Sequence, residues 1–213
     1  MEEVGVSLER KLPVLERPTK SSTREILQNP NIFSWKEVLP RLKKESEMGK
    51  TIVTTNGHFV LFHSGHSVSL EQAREVGVAS RLDNNNEAVV LLAIVNADHQ
   101  TVKKDPVKAS AQSAFERAAN VYDNRHSDHV VISEAAEGDS TLTTDFQRLA
   151  DANLIGPNFI YVKGGDYSAN TPPEAEIVVA NGGIFKVVDR VGAYSTSSQV
   201  EKMLAEAKRQ GRL

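Results

Sequence analysis

The run Ala88-Val89-Val90-Leu91-Leu92-Ala93-Ile94-Val95 is apolar without a break. A strand with one wet face alternates polar and apolar residues, so an unbroken run of this length requires a strand buried on both faces. Further strand segments lie near 51–55, 129–133, 158–162 and 184–189, with helix-period patterns between most of them. That alternation folds as a parallel sheet covered by helices on both sides, with the 88–96 strand expected beside the first one. A helix is expected from about Trp35 to Met48, N-capped by Ser34 and bent at Pro40. Two more are expected over Ser67 to Gly77 and Gln199 to Gln210.

Composition narrows the function. At 213 residues, 39% hydrophobic and 25% charged, the chain supports one full core and has no room for a second catalytic domain. Residues 1–32 read as a polar, proline-containing N-terminal extension, an arm suited to strap over a neighbouring subunit, and 33–213 as the catalytic domain. A formal charge of −3 shows no basic excess, so nucleic acid is not an expected partner. The absence of cysteine excludes disulfides, thiolate zinc sites and thiol redox chemistry. The start of the chain lacks a basic region followed by an apolar core, and the longest apolar run is too short to span a bilayer. No membrane association and a cytoplasmic location are therefore the expectations.

The chemistry concentrates at Thr55 to His66, T-N-G-H-F-V-L-F-H-S-G-H, where a buried strand is expected to end and a helix to begin. Backbone N–H groups are unpaired at a helix start and the dipole is positive there. A polyphosphate set against Gly57 and His66 would meet donors and favourable charge together. In open parallel sheets ligands bind beyond the carboxyl ends of the strands, and Asn96 to Asp98, Lys163 to Asp166 and Ser195 to Ser197 also follow expected strands. Ser195, Thr196 and Ser197 suit both the capping of the last helix and the holding of phosphate. His126 and His129 flank Asp128 in a metal-like spacing, but with no further ligands evident they read as a surface pair. No protein-held metal is expected.

His63-Ser64-Gly65-His66, following Asn56-Gly57-His58-Phe59-Val60, resembles the signature of the cytidylyltransferase-like nucleotidyltransferases. The resemblance recurs in order at Val95-Asn96-Ala97-Asp98, Phe115-Glu116-Arg117, Val162-Lys163-Gly164-Gly165-Asp166-Tyr167, Asn181-Gly182-Gly183 and Tyr194-Ser195-Thr196-Ser197. The K-G-G-D-Y and N-G-G segments are most similar to the adenylyltransferase branch of bacterial ADP-heptose synthesis. The resemblance implies a Rossmann-like α/β fold with a five-stranded parallel sheet. It implies transfer of an adenylyl group from ATP, carried with Mg²⁺, to a sugar 1-phosphate, with heptose 1-phosphate as the leading acceptor.

By that resemblance His63, His66 and a lysine from Lys103 and Lys104 are catalytic. The nucleotide would be held by Asn56, Gly57, His58, Phe59, Gly65, Lys163, Gly164, Asp166, Ser195, Thr196 and Ser197. Protonated imidazoles beside phosphate are expected to stabilise the developing charge, and Arg117 is read as structural support. The resemblance also implies a homodimer or larger homo-oligomer, and any sugar kinase of the same pathway would be a separate chain. The chain departs from the signature at Val60, where aspartate is usual, and at His58, often cysteine in that branch. Two rivals follow: a cytidylyltransferase acting on glycerol phosphate or another phosphorylated alcohol, and a non-catalytic nucleotide-binding homologue.

Overall fold

The computed structural model describes residues 20–22, 25–26, 29, 33–81, 88–106, 111–165, 171–189 and 196–212. Most of the expected arm, together with Asp166 and Ser195, lies outside the described residues. In chain order the elements are α1 (Trp35–Glu47), β1 (Thr51–Gly57), α2 (Ser64–Ala79), β2 (Val89–Val95), α3 (Asp98–Lys104) and α4 (Ala114–Asp123). They continue as β3 (His129–Ile132), α5 (Thr143–Asp151), β4 (Phe159–Gly164), α6 (Pro173–Ala180), β5 (Ile184–Val188) and α7 (Thr196–Arg209). The five strands form one parallel sheet in the order β3-β2-β1-β4-β5, an α/β Rossmann-like arrangement. β2 does pair with β1, from Thr51↔Val89 to Gly57↔Val95.

Every residue of β2 is buried, and alternate side chains enter two separate cores. Val89, Leu91, Ala93 and Val95 meet Leu70 and Ala73 of α2 and Ala118 and Val121 of α4. Val90, Leu92 and Ile94 meet Trp35, Val38 and Leu42 of α1 and Phe146 and Leu149 of α5. α2 lies very close to the sheet: a Cβ on Gly77 would stand 2.5 Å from Val53 Cγ2 and 2.7 Å from Val89 Cγ1. α1 starts at the expected cap, Ser34 accepting from Glu37 N, and runs on through the exposed Pro40 to Glu47.

The entrance edge of the sheet carries buried charge. His129 Nε2 lies 2.8 Å from Glu45 Oε2, and Lys50 Nζ lies 3.5 Å from Glu45 Oε1. Asp128 pairs with Arg74 and accepts from Leu91 N at 2.8 Å. The expectation of a surface pair at His126 and His129 is thereby corrected for His129, which is 3% exposed. Sequence spacing could not show that α1 delivers a carboxylate to it. Among the described residues no group of three or more His, Asp or Glu side chains could hold a metal ion.

The described part of the extension packs on its own subunit. Lys20 Nζ donates to the carbonyls of Tyr122 and Asn124 at the end of α4, and Ser21 N donates to Tyr122 Oη at 2.9 Å. Ile26 is fully buried beside Phe33 in the core shared with α2 and α4. At these residues, then, the extension runs over α4. β5 at the sheet edge is largely exposed and α7 has no buried residue. Among the described residues no helix is long and apolar enough to cross a membrane.

Candidate functional site

The strand order reverses between β1 and β4, because β2 and β3 follow β1 on one side while β4 and β5 lie on the other. At such a switch point the loops beyond the carboxyl ends of the strands separate and leave a crevice. A cleft of about 380 Å³ is found there, lined by Asn56, Gly57, His58 and Phe59 after β1, Asn96 after β2, and Lys163 and Gly164 of β4. His66 and Ser69 of α2, Lys104 of α3, Ser140 and Thr141, and Pro172 to Glu174 at the start of α6 complete its wall.

The turn from β1 into α2 is tightly wound. Phe59 and Leu61 adopt φ of 51° and 48°, left-handed values that non-glycine residues rarely take. This folds the Phe59 ring back, so a Cβ on Gly57 would lie 3.2 Å from it. Gly57 thus makes room for Phe59 and also lines the cleft. Phe59 meets His66 edge-on with ring centroids 5.4 Å apart, and Leu61 N donates to Gln112 Oε1 at 2.7 Å. Val60 is buried and its carbonyl accepts from Thr196 Oγ1 at 2.9 Å.

His63 and His66 form a reciprocal capping box at the start of α2. His63 Nδ1 accepts from Gly65 N at 3.1 Å, and His66 Nδ1 accepts from His63 N at 3.4 Å. His66 N and Ser67 N both donate to the His63 carbonyl. Of the backbone donors expected to be open at this helix start, those of Gly65, His66 and Ser67 are engaged by His63. With Nδ1 accepting, each neutral ring carries its proton on Nε2. The rings stack with centroids 4.0 Å apart, and His63 Nε2 lies 3.4 Å from Thr196 Oγ1. Since the Thr196 hydroxyl donates to Val60, it is the acceptor of the His63 Nε2 proton.

Burial, and then the neighbouring His63, push the His66 pKa down to about 3; burial also lowers that of His63. Burial therefore favours the neutral form of both rings, with the proton on Nε2; the expected protonation concerned rings beside bound phosphate. His58 is likewise pushed down to about 3, by burial first and then by Lys104, Arg117 and Lys163. Its Nδ1 lies 3.0 Å from Thr101 Oγ1, whose own proton goes to the Ala97 carbonyl, so His58 Nδ1 is the donor and Nε2 an acceptor. Arg117, fully buried, donates to the His58 carbonyl at 2.6 Å and to Asp98 at 2.8 Å, bracing the turn.

Across the switch point Lys163 Nζ donates to Asn56 Oδ1 at 2.8 Å, and the Tyr161 hydroxyl stands 2.8 Å from the same oxygen and 2.9 Å from Glu174 Oε1. Burial lowers the Lys163 pKa to about 8, against the attraction of Glu174 and with the repulsion of Lys104. Of the two candidate lysines, Lys104 lines the cleft. Lys103, outside the cleft lining, donates to the Gly138 carbonyl at 3.1 Å and Ser140 Oγ at 3.4 Å. Gly65 lies in the first turn of α2 and Ser197, exposed, in that of α7. Tyr161, Thr101 and Glu174 have no motif to announce them; Glu174 lines the cleft, while Tyr161 and Thr101 contact the cleft residues Asn56 and His58.

Comparison with known proteins adds a lineage. No family model matches the chain. It is 29% identical over 177 residues to the bifunctional protein HldE of Marinomonas sp. (strain MWYL1), covering 82% of this chain and 32% of that protein. It is 32% identical over 163 residues to the bifunctional protein HldE of Syntrophotalea carbinolica, covering 76% and 29%. For that of Citrifermentans bemidjiense the figures are 30% over 164 residues, 77% and 29%. A crystal structure of the lipopolysaccharide core biosynthesis protein from Thermoplasma volcanium GSS1 aligns with 68% of this chain and 98% of that one, at 19% identity and a TM-score of 0.42. The chain spans about a third of the length of the curated relatives it matches. It is a relative of one segment of the bifunctional HldE proteins, the kinship to which its H-x-G-H turn and its K-G-G-D-Y and N-G-G segments point.

Proposed function

We propose that this chain is a nucleotidyltransferase that joins ATP to a sugar 1-phosphate, giving an ADP-sugar and pyrophosphate, with heptose 1-phosphate as the leading acceptor. The observation that carries the reading is the convergence on one cleft edge of the stacked His63–His66 pair and Thr196, 3.4 Å from His63 Nε2, with Lys104 and Lys163 in the cleft wall. In the reaction an acceptor phosphate oxygen forms a bond to the α-phosphorus while the bond from that phosphorus to the bridging oxygen of the β-phosphate breaks. Charge accumulates on the α-phosphate oxygens and on the departing pyrophosphate, so fixed donors and cations supply the catalysis.

The Nε2–H of His66 suits the α-phosphate oxygens, because the cap holds its ring in place before the substrate arrives, while His63, stacked on it, is held by Thr196. Lys104 and Lys163 suit the remaining phosphate charge. Mg²⁺ would arrive with the nucleotide and neutralise its polyphosphate. Kinship with the HldE proteins and the sugar-branch motifs support the heptose phosphate acceptor.

The test is pyrophosphate release across a panel of ATP and CTP with heptose 1-phosphate, other sugar 1-phosphates and glycerol phosphate. ATP with a sugar 1-phosphate is expected to give the highest kcat/KM, and His66→Ala is expected to lower kcat by about 10²–10³-fold. Turnover with CTP and glycerol phosphate alone would replace the reading. A second reading, a nucleotide-binding protein without turnover, is favoured by Val60 standing where the resembled signature has aspartate; ATP binding with no turnover on any pair is its signature.

A further inference from the structure

The corner of the cleft at the start of α6 differs chemically from the rest of the wall. Lys104, Lys163 and His66 present donors or positive charge, whereas Glu174 presents a carboxylate that is 5% exposed. Its placement is built. Oε1 lies 2.9 Å from the Tyr161 hydroxyl, and Tyr161 is buried in the core on the α5–α6 side of the sheet. That hydroxyl has one proton for Glu174 Oε1 and Asn56 Oδ1, and a carboxylate is the stronger acceptor. Pro172 and Pro173, just before Glu174, bring no N–H to compete for it.

Two polar atoms at this corner remain open. Glu174 Oε2 takes no hydrogen bond from any described residue. Asn56 has its amide oxygen committed to Lys163, which leaves Nδ2 as a donor without a described partner. Glu174 is buried as a residue but lines the cleft, so this oxygen is open to a ligand, and its charge repels phosphate. The group that fits must donate to Glu174 and accept from Asn56. A hydroxyl does both, and two adjacent hydroxyls of a sugar do so without strain.

We propose that Glu174, with Asn56 beside it, reads a sugar diol of the substrate and so acts as a specificity-determining residue. This rests on the nucleotidyltransferase reading. The diol has two sources in that reaction, the ribose of the nucleotide and the acceptor sugar, and both share the chemistry. Attraction from Glu174 also keeps Lys163 cationic, which gives the carboxylate a second use and calls for a test that separates the two.

The experiment is calorimetric binding of ATP, 2′-deoxy-ATP and 3′-deoxy-ATP, and of a sugar 1-phosphate with its deoxy analogues, to the wild type, Glu174→Gln and Glu174→Ala. Thermal melting checks that each variant is folded. The expected result is that one of the two ligands loses about 10-fold in affinity in Glu174→Gln and about 100-fold in Glu174→Ala, the size of a hydrogen bond to a charged group. The wild type should discriminate against the matching deoxy analogue by a similar factor, and the variants should not. Loss on the ATP series places the ribose at Glu174, and loss on the sugar series places the acceptor there. Equal discrimination by wild type and variants, or equal losses for ribo and deoxy ligands, would overturn the inference and leave Glu174 only as the partner of Lys163. A wild type that binds and discriminates but releases no pyrophosphate would refute the transfer reaction and leave the diol site standing.

Discussion

His58 and His66 are buried imidazoles whose protonated forms are disfavoured, each with its pKa pushed down to about 3. The unfolded chain carries ordinary histidines that gain protons near pH 6.5. Between those values the unfolded state binds more protons, so stability rises with pH over that interval and is lost as pH falls from about 6.5. Chemical denaturation at pH 7, 6, 5 and 4 should show a dependence corresponding to about two protons. His58→Gln and His66→Gln should each flatten it by about one. A wild-type stability flat between pH 7 and 5 would contradict the neutral assignment. The same neutrality keeps Nε2–H available to a ligand well below pH 6.5, so an acid limb of activity near that value would have to come from another group.

At the level of elements, α2 is pressed against β1 and β2 at Gly77, where any side chain would meet Val53 and Val89 at less than normal contact distance. Gly77→Ala should therefore destabilise by about 1–3 kcal/mol despite the better helix propensity of alanine, because neither valine has a free direction in which to move. Urea denaturation measures it, and a neutral or stabilised variant would show that α2 can slide. Several elements were legible in the sequence: β2 from its unbroken apolar run and α1 from Ser34, while α2 was expected from Ser67 and begins three residues earlier, at Ser64. Less was legible where a property depends on partners from elsewhere in the chain. His129 looked like a surface residue because its acceptor, Glu45, comes from α1. The start of α2 looked open to phosphate because nothing in H-x-G-H says that its rings cap their own helix. Glu174 and Tyr161 went unread because their meeting with Asn56 is a product of strand order alone.

Across the whole molecule, the described part of the N-terminal extension belongs to the core rather than hanging from it. Ile26 is fully buried with Phe33, and Lys20 fastens to the end of α4. Ile26→Ala should cost about 2–5 kcal/mol, as for other buried aliphatic truncations, and should lower the melting temperature. A loss below 0.5 kcal/mol, the range of ordinary surface substitutions, would show that this segment is not docked in solution. The opposite end of the chain has a different bearing. His63 and the hydroxyl that receives its outer proton are 133 residues apart, and that hydroxyl belongs to α7, which buries no residue of its own. During synthesis, at roughly 5–20 residues per second, the ring waits on the order of ten seconds for this neighbour. A nascent chain can thus have a finished sheet while this contact is still unmade, and the ring gains its neighbour only when α7 has been synthesised.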